Sequence, residues 1–365
     1  MKSGFSHKYA RMLVLGIGLL AGIDVPATAH AEDSASEEVT FVRNVLVEEF
    51  TGTACGWCPR GMVGMQLMHE VYGNRFVGIA LHWYNTNDVM FLQRDTYYPL
   101  TFSSAPSCRL NRGEQIDPKY GSGGEVGYSV LDNLVEELER PATVAVTVEG
   151  QWNIEQSEVS VTAKVKTLNR RDHLQVEFVL VADSLGGLTS AWRQANNYAS
   201  HTAEEIGDPD MAPFCADGIY GKPAVAARNL FNDVAIAGSF AEGVSLVEPL
   251  LDMQPGEERT VGFTLSMPDK ALLRNSINPE YVSVVAIVTD GETGEVENAD
   301  KRRVGEQAAA TAIRLRADDC VPNDQSASIR MFDLQGRRLA GNSAPAVYVI
   351  KQGSKVRKVV NTAFR

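Results

Sequence analysis

Cys55 and Cys58, with Gly56 and Trp57 between them, are the residues whose type and spacing most directly imply chemistry. Two cysteines at this spacing can close a disulfide across one helical turn, and these two sit where strand character stops and a helix is expected. A helix start supplies unpaired N–H groups and the positive end of the helix dipole, and both favour a thiolate over a thiol. The chemistry that follows is thiol–disulfide exchange, with Cys55 attacking and Cys58 resolving from one turn away. A permanently oxidised Cys55–Cys58 staple is the inert alternative at the same spacing. Zinc coordination by Cys55, Cys58, Cys108 and His82 lacks the second paired knuckle of structural zinc sites. Neither a Gly-x-Ser-x-Gly elbow nor a His-Glu-x-x-His helix occurs, which argues against those hydrolase classes.

The elements that must position this pair are read from periodicity. Residues 44–50 read as a strand, and residues 59–72 as a helix with Met62, Met65, Met68 and Tyr72 along one side as core filling. Residues 76–83 are a mostly apolar run suited to a central strand, so strand, helix and strand make a βαβ unit. His82 is expected as a core or rim residue of that strand. Further on, Pro106 lies in the loop Ser104-Ala105-Pro106-Ser107, directly ahead of Cys108. A glycine-rich loop at 121–127 is too irregular to bind phosphate, and a helix is expected over 126–139, stopped by Pro141.

The run Glu49-Phe50-Thr51-Gly52-Thr53-Ala54-Cys55-Gly56-Trp57-Cys58-Pro59 resembles the thioredoxin active-site segment. More narrowly, Leu46-Val47-Glu48-Glu49-Phe50-Thr51-Gly52 followed by Cys-Gly-Trp-Cys-Pro-Arg-Gly resembles the Omp-twenty-eight-related outer membrane protein family, exported or envelope proteins with a thioredoxin-like N-terminal half. Ala54 stands where a Trp usually precedes the first cysteine and Trp57 where Pro often precedes the second, departures that bear on the reduction potential. The resemblance implies that Glu49 is the buried acid beneath the redox pair. It also implies that Pro106 is a cis-proline facing the pair and that Trp57 and Pro106 contact substrate. Glu48 competes for the acid's role, but adjacent strand residues point to opposite faces and only one is expected to face inward; spacing favours Glu49. Cys108 is expected as a buried thiol or as one end of a bridge to Cys215.

At 365 residues the chain is long enough for two or three domains, and 44% hydrophobic with 22% charged residues is a globular composition. Lys2, Lys8 and Arg11 precede an apolar run over 12–23, and Ala29-His30-Ala31 gives a small-x-small cleavage site, so 1–31 reads as a signal peptide. No later apolar run is long enough to span a bilayer, so no membrane-spanning segment is expected in the mature chain. A formal net charge of −12 disfavours nucleic acid and anionic lipid surfaces. All five cysteines (55, 58, 108, 215 and 320) would follow the leader into a disulfide-permissive compartment.

The fold class expected is an α/β thioredoxin-like domain (32–140), an all-β immunoglobulin-like sandwich (141–304) with a long irregular insertion at 190–245, a linker (305–325) and a small C-terminal β unit (326–365). The sandwich rests on the alternating apolar residues of 143–148, 159–165, 174–181, 260–265 and 281–289. The last forty residues, with Asp333-Leu334-Gln335-Gly336-Arg337-Arg338 and a Lys-rich final strand, resemble the sorting domain of proteins exported by the type IX secretion system. Two functions follow. One is an exported oxidoreductase acting on cysteine-containing proteins or peptides without a cofactor, at the outer membrane surface or outside the cell, or alternatively in the periplasm. The other is a surface-displayed binding or structural protein whose thioredoxin-like half has no turnover.

Overall fold

The computed structural model describes residues 39–93, 100–221 and 231–307, and the backbone of four later strands. The expected leader, the lead-in before residue 39, Cys320 and most of the expected linker lie outside the described residues.

The first half contains β1 (Val39–Phe41), β2 (Val45–Thr51), α1 (Pro59–Tyr72), β3 (Phe76–His82), β4 (Ser107–Leu110), β5 (Gln115–Ile116) and α2 (Val130–Glu139). Then come β6 (Val144–Trp152), β7 (Glu158–Thr167), β8 (Arg171–Ala182) and the one-turn α3 (Ala203–Ile206). They are followed by β9 (Val234–Gly238), the hairpin β10 (Phe240–Ala241) and β11 (Val244–Ser245), β12 (Leu250–Met253), β13 (Glu258–Ser266), the short α4 (Ala271–Arg274), β14 (Val282–Asp290) and β15 (Val296–Arg303). The later strands are β16 (Ile313–Leu315), β17 (Arg330–Asp333), β18 (Val347–Gln352) and β19 (Lys355–Val360). The described residues are thus mostly β-sheet with few helices, and among them no helix is long and apolar enough to cross a membrane.

One nine-stranded sheet, in the order β15-β14-β8-β9-β3-β2-β4-β5 with β12 added beside β8, runs across residue 141. β2 and β3 pair in parallel, from Val45 opposite Phe76 to Thr51 opposite His82, and β4 lies antiparallel to β2. All seven residues of β2 and all seven of β3 are buried, as befits strands covered on both faces. The joint with the later strands is β9, parallel to β3 and antiparallel to β8. It corrects the reading of 190–245 as wholly irregular: its five residues, Val-Ala-Ile-Ala-Gly, are too few to give a periodic signal, and their pairing is supplied by strands distant in sequence.

The three-stranded sheet β13-β7-β6 lies over the far end of the large sheet. β7 alternates buried and exposed residues, and Val146, Val148, Val159 and Val161 share one apolar core with Phe178, Leu180, Val284 and Ala286. Asn298 on β15 fastens this part to the start of the first half. Its carboxamide accepts from Asn44 N (3.0 Å) and donates to Val42 O and Val144 O (both 3.0 Å).

Two boundaries differ from expectation. α2 begins at Val130, where Ser129 Oγ caps it by accepting from Leu131 N (3.1 Å), while Val126 and Tyr128 are exposed ahead of it. Within the expected linker, β16 pairs antiparallel with β1; its Ile-Arg-Leu alternation is strand-like, but three residues are too few to stand out in sequence. The last three strands form an antiparallel meander, β17-β18-β19.

Candidate functional site

β2 delivers the chain to Gly52, and a tight loop follows, with Cys55 N donating to Gly52 O (3.1 Å) and Cys58 N to Cys55 O (3.1 Å). Cys55 and Cys58 are joined by a disulfide with their Cα atoms 5.3 Å apart. Cys58 is the N-cap of α1 and Pro59 opens its first turn, where a missing N–H costs nothing. The Cys58 sulfur therefore sits at the positive end of a fourteen-residue helix whose first turn holds no acidic side chain.

Beneath this turn the structure brings together Glu49 and Pro106. A Cβ placed on Gly61 would lie 1.9 Å from Glu49 Oε1 and 3.2 Å from the Pro106 Cβ, so both side chains press on the helix one turn past Cys58, and only glycine leaves them room. The Ala105–Pro106 peptide bond is cis. Glu49 is 2% exposed, and among the described residues its Oε1 has no hydrogen-bond partner. Burial raises its carboxyl pKa to about 8; a hydrogen bond from Thr51 opposes this, and the charges of Asp233 and Asp117 add to it. The group is therefore mostly neutral at pH 7.

Glu48 does not point to solvent, contrary to the expectation that one of the two glutamates must. β2 is covered on both faces, so both are buried, and Glu48 meets Arg112 (3.4 Å), which also holds Glu177 of β8 (2.5 Å). Of the two alternatives for Cys108 the structure shows the buried thiol and not the bridge to Cys215; both cysteines are free and buried. Cys108 lies directly opposite Glu49 in the β2–β4 ladder. Burial pushes its thiol pKa up, and the Glu49 and Asp117 charges push it further. Cys215 donates its thiol to Met211 O (3.2 Å), and burial raises its pKa too, with Asp208 adding to the effect. Neither is poised as a thiolate.

His82 is turned toward Asp88 rather than toward the cysteines, Nδ1 to Oδ2 at 3.0 Å. The same Asp88 oxygen accepts from Thr53 N (2.7 Å) and Thr53 Oγ1 (2.9 Å), and Oδ1 accepts from Met90 N (2.9 Å). Burial alone would raise the Asp88 pKa, but His82 and these backbone donors prevail and hold it at about 2. Asp88 thus pins the disulfide-bearing loop two residues ahead of Cys55. Among the described residues no group of three His, Cys, Asp or Glu side chains is arranged to hold a metal ion.

The outer face of the loop is covered by the segment after β8. Gln194, 6% exposed, donates its amide to Cys55 O (2.8 Å) and Gly52 O (3.3 Å). Ala195 N donates to Thr53 O (2.7 Å) and Asn197 N to Gly56 O (2.9 Å). Trp57 is half exposed, its ring edge-on to Tyr198 with centroids 5.3 Å apart. Under this cover Cys55 is 3% exposed and Cys58 fully buried. Asp88 and Gln194 were absent from the sequence reading: they lie 35 and 139 residues from their partners, and no local pattern marks such contacts.

No family model matches the chain, and no curated protein does. Among solved structures it is similar to HBP35 of Porphyromonas gingivalis, with 14% identity over 88% of this chain and 98% of that one and a TM-score of 0.47. A protein from Agrobacterium tumefaciens is similar at 12% identity over 72% of this chain and 95% of that one, with a TM-score of 0.38.

Proposed function

We propose that the chain is an exported cell-envelope or surface protein whose first half, of thioredoxin-like fold, carries out thiol–disulfide exchange on cysteine-containing proteins or peptides. The observation that carries this reading is the meeting, at Gly61, of a buried acid with one oxygen unpartnered among the described residues and a proline, beside a helix capped by a cysteine of a disulfide. A staple needs only the two sulfurs. A buried carboxyl with no hydrogen-bond partner on one oxygen is costly to keep, and a proton-transfer role accounts for it.

In the reduced protein the Cys55 thiolate attacks one sulfur of a substrate disulfide. The substrate S–S bond breaks, and the second substrate sulfur leaves as a thiolate that takes a proton from water. Cys58 then gives its proton to Glu49 in its ionised form and attacks the Cys55 sulfur. The Cys55–Cys58 bond closes, the remaining substrate sulfur leaves, and two electrons have passed from the protein to the substrate. Run backward, neutral Glu49 returns the proton to Cys58. The helix start stabilises the thiolate in either direction. Trp57 and the chain around Pro106 are the surfaces that meet the substrate.

In this reading residues 141–304 are an immunoglobulin-like sandwich, and 326–365 a unit read by the type IX secretion machinery after removal of 1–31. A second reading, a binding or structural surface protein with no turnover, is favoured by the burial of both cysteines. Trapping separates the two. Reduced full-length Cys58→Ser protein mixed with insulin should form a covalent adduct through Cys55, seen by mass spectrometry; a folded Cys58→Ser variant that forms none contradicts exchange.

A further inference from the structure

The burial of the disulfide and its proposed chemistry are reconciled by what covers it. The carbonyls of Thr53 and Gly56, on either side of Cys55, accept from Ala195 N and Asn197 N, alternate amides of the covering segment, which is how an extended strand presents its donors. The Gln194 side chain takes two further carbonyls of the same loop. The approach at Gly56 is close, since a Cβ there would lie 2.2 Å from Asn197 Oδ1. The covering segment is tied down beyond the site: Asn196 donates its amide to Phe214 O (2.7 Å), and Tyr198 packs in one cluster with Met211, Phe214 and Cys215 that also touches Met62 and Val63 of α1.

We infer that residues 194–198 occupy the surface on which a partner polypeptide docks. The disulfide then exchanges with an extended polypeptide that displaces them and takes over the Thr53 and Gly56 carbonyls. This rests on the exchange reading for its purpose but not for its test. Attack on Cys55 Sγ by an external thiolate breaks the Cys55–Cys58 bond, and Cys58 leaves as a thiolate and takes a proton. A second external thiol then attacks the mixed disulfide and frees Cys55, leaving the reductant as a disulfide. The covering segment limits the first attack.

The test uses the oxidised full-length chain and follows loss of Cys55–Cys58 by alkylation and mass, with dithiothreitol and with reduced insulin B chain as reductants. Gln194→Ala should raise the dithiothreitol rate roughly 10-fold, since a lost hydrogen bond shifts opening by about that factor. Asn197→Pro should raise it by a smaller factor. It removes the bond to Gly56 O together with the Asn197 carboxamide that lies against Gly56, and Asn197 is the first residue of a one-turn 3-10 segment (Asn197–Ser200), where proline is tolerated, so this variant decides the matter if Gln194→Ala does not. The wild type should also be reduced faster, per thiolate, by the B chain than by dithiothreitol, and both variants should narrow that preference. A natively folded Asn197→Pro reduced by dithiothreitol at the wild-type rate, or a wild type without the B-chain preference, overturns the inference. Because the readout is reduction of the protein's own disulfide, a failed Cys58→Ser trap would sink exchange and leave this result standing.

Discussion

Glu48 and Glu49 are neighbours on one strand, both buried, and the two sides of the sheet deal with them by different means. On one side Arg112 sits between Glu48 and Glu177, so charge is met by charge. Burial raises the Glu177 pKa and the Arg112 charge opposes that rise. On the other side no cation acts on Glu49 among the described residues, and burial meets the problem by holding a proton on the carboxyl up to about pH 8. The first arrangement fixes structure, because it ties β2 to β8. The second keeps a titratable group against Gly61, one turn past Cys58, which is where the proposed exchange calls for a proton to move.

The largest expected effect breaks the paired side. Arg112→Met leaves two buried carboxylates without their cation and should cost roughly 3–5 kcal/mol in chemical denaturation. Glu49→Gln sharpens the unpaired side. Between pH 4.5 and about 8 the folded protein holds a proton that the unfolded chain has lost, so wild-type stability should fall as pH rises through that window, by up to about 1.4 kcal/mol per pH unit. The Gln variant should lack this slope while exchanging disulfides more slowly by about 100-fold or more. A slope equal to that of the wild type would mean that Glu49 is ionised in the fold. The smallest change comes from Asp88→Asn, which weakens the anchor of Thr53 and should cost about 1–3 kcal/mol at neutral pH. Its sign with pH is opposite: the depressed Asp88 pKa stabilises the wild type above about pH 4, and that contribution is lost as pH falls toward 2. The variant should not show that loss in acid unfolding curves.

The same contrast explains what was legible in the chain. The Cys55-Gly56-Trp57-Cys58 loop, the helix after it and the strand before it are contiguous in the chain, and the thioredoxin resemblance singled out Glu49, which the fold lays against Gly61 of that helix. The burial of Glu48 was not legible, since it depends on Arg112 and Glu177, which are 64 and 65 residues apart from their partners and carry no periodic mark. β9, which joins two runs of strands into one sheet, is five residues long and takes its place from β3 and β8. The cover over the disulfide was hidden for the same reason: Gln194 and Asn197 lie in a polar stretch that reads as loop, and only the folded chain shows which carbonyls they reach.

The most direct test of the central claim is the reduction of insulin by dithiothreitol, followed by turbidity, with full-length wild type and with Cys55→Ser at equal concentration. Exchange at Cys55 predicts that the wild type shortens the lag before precipitation and that Cys55→Ser leaves the uncatalysed rate unchanged; the same rate with both proteins would contradict it.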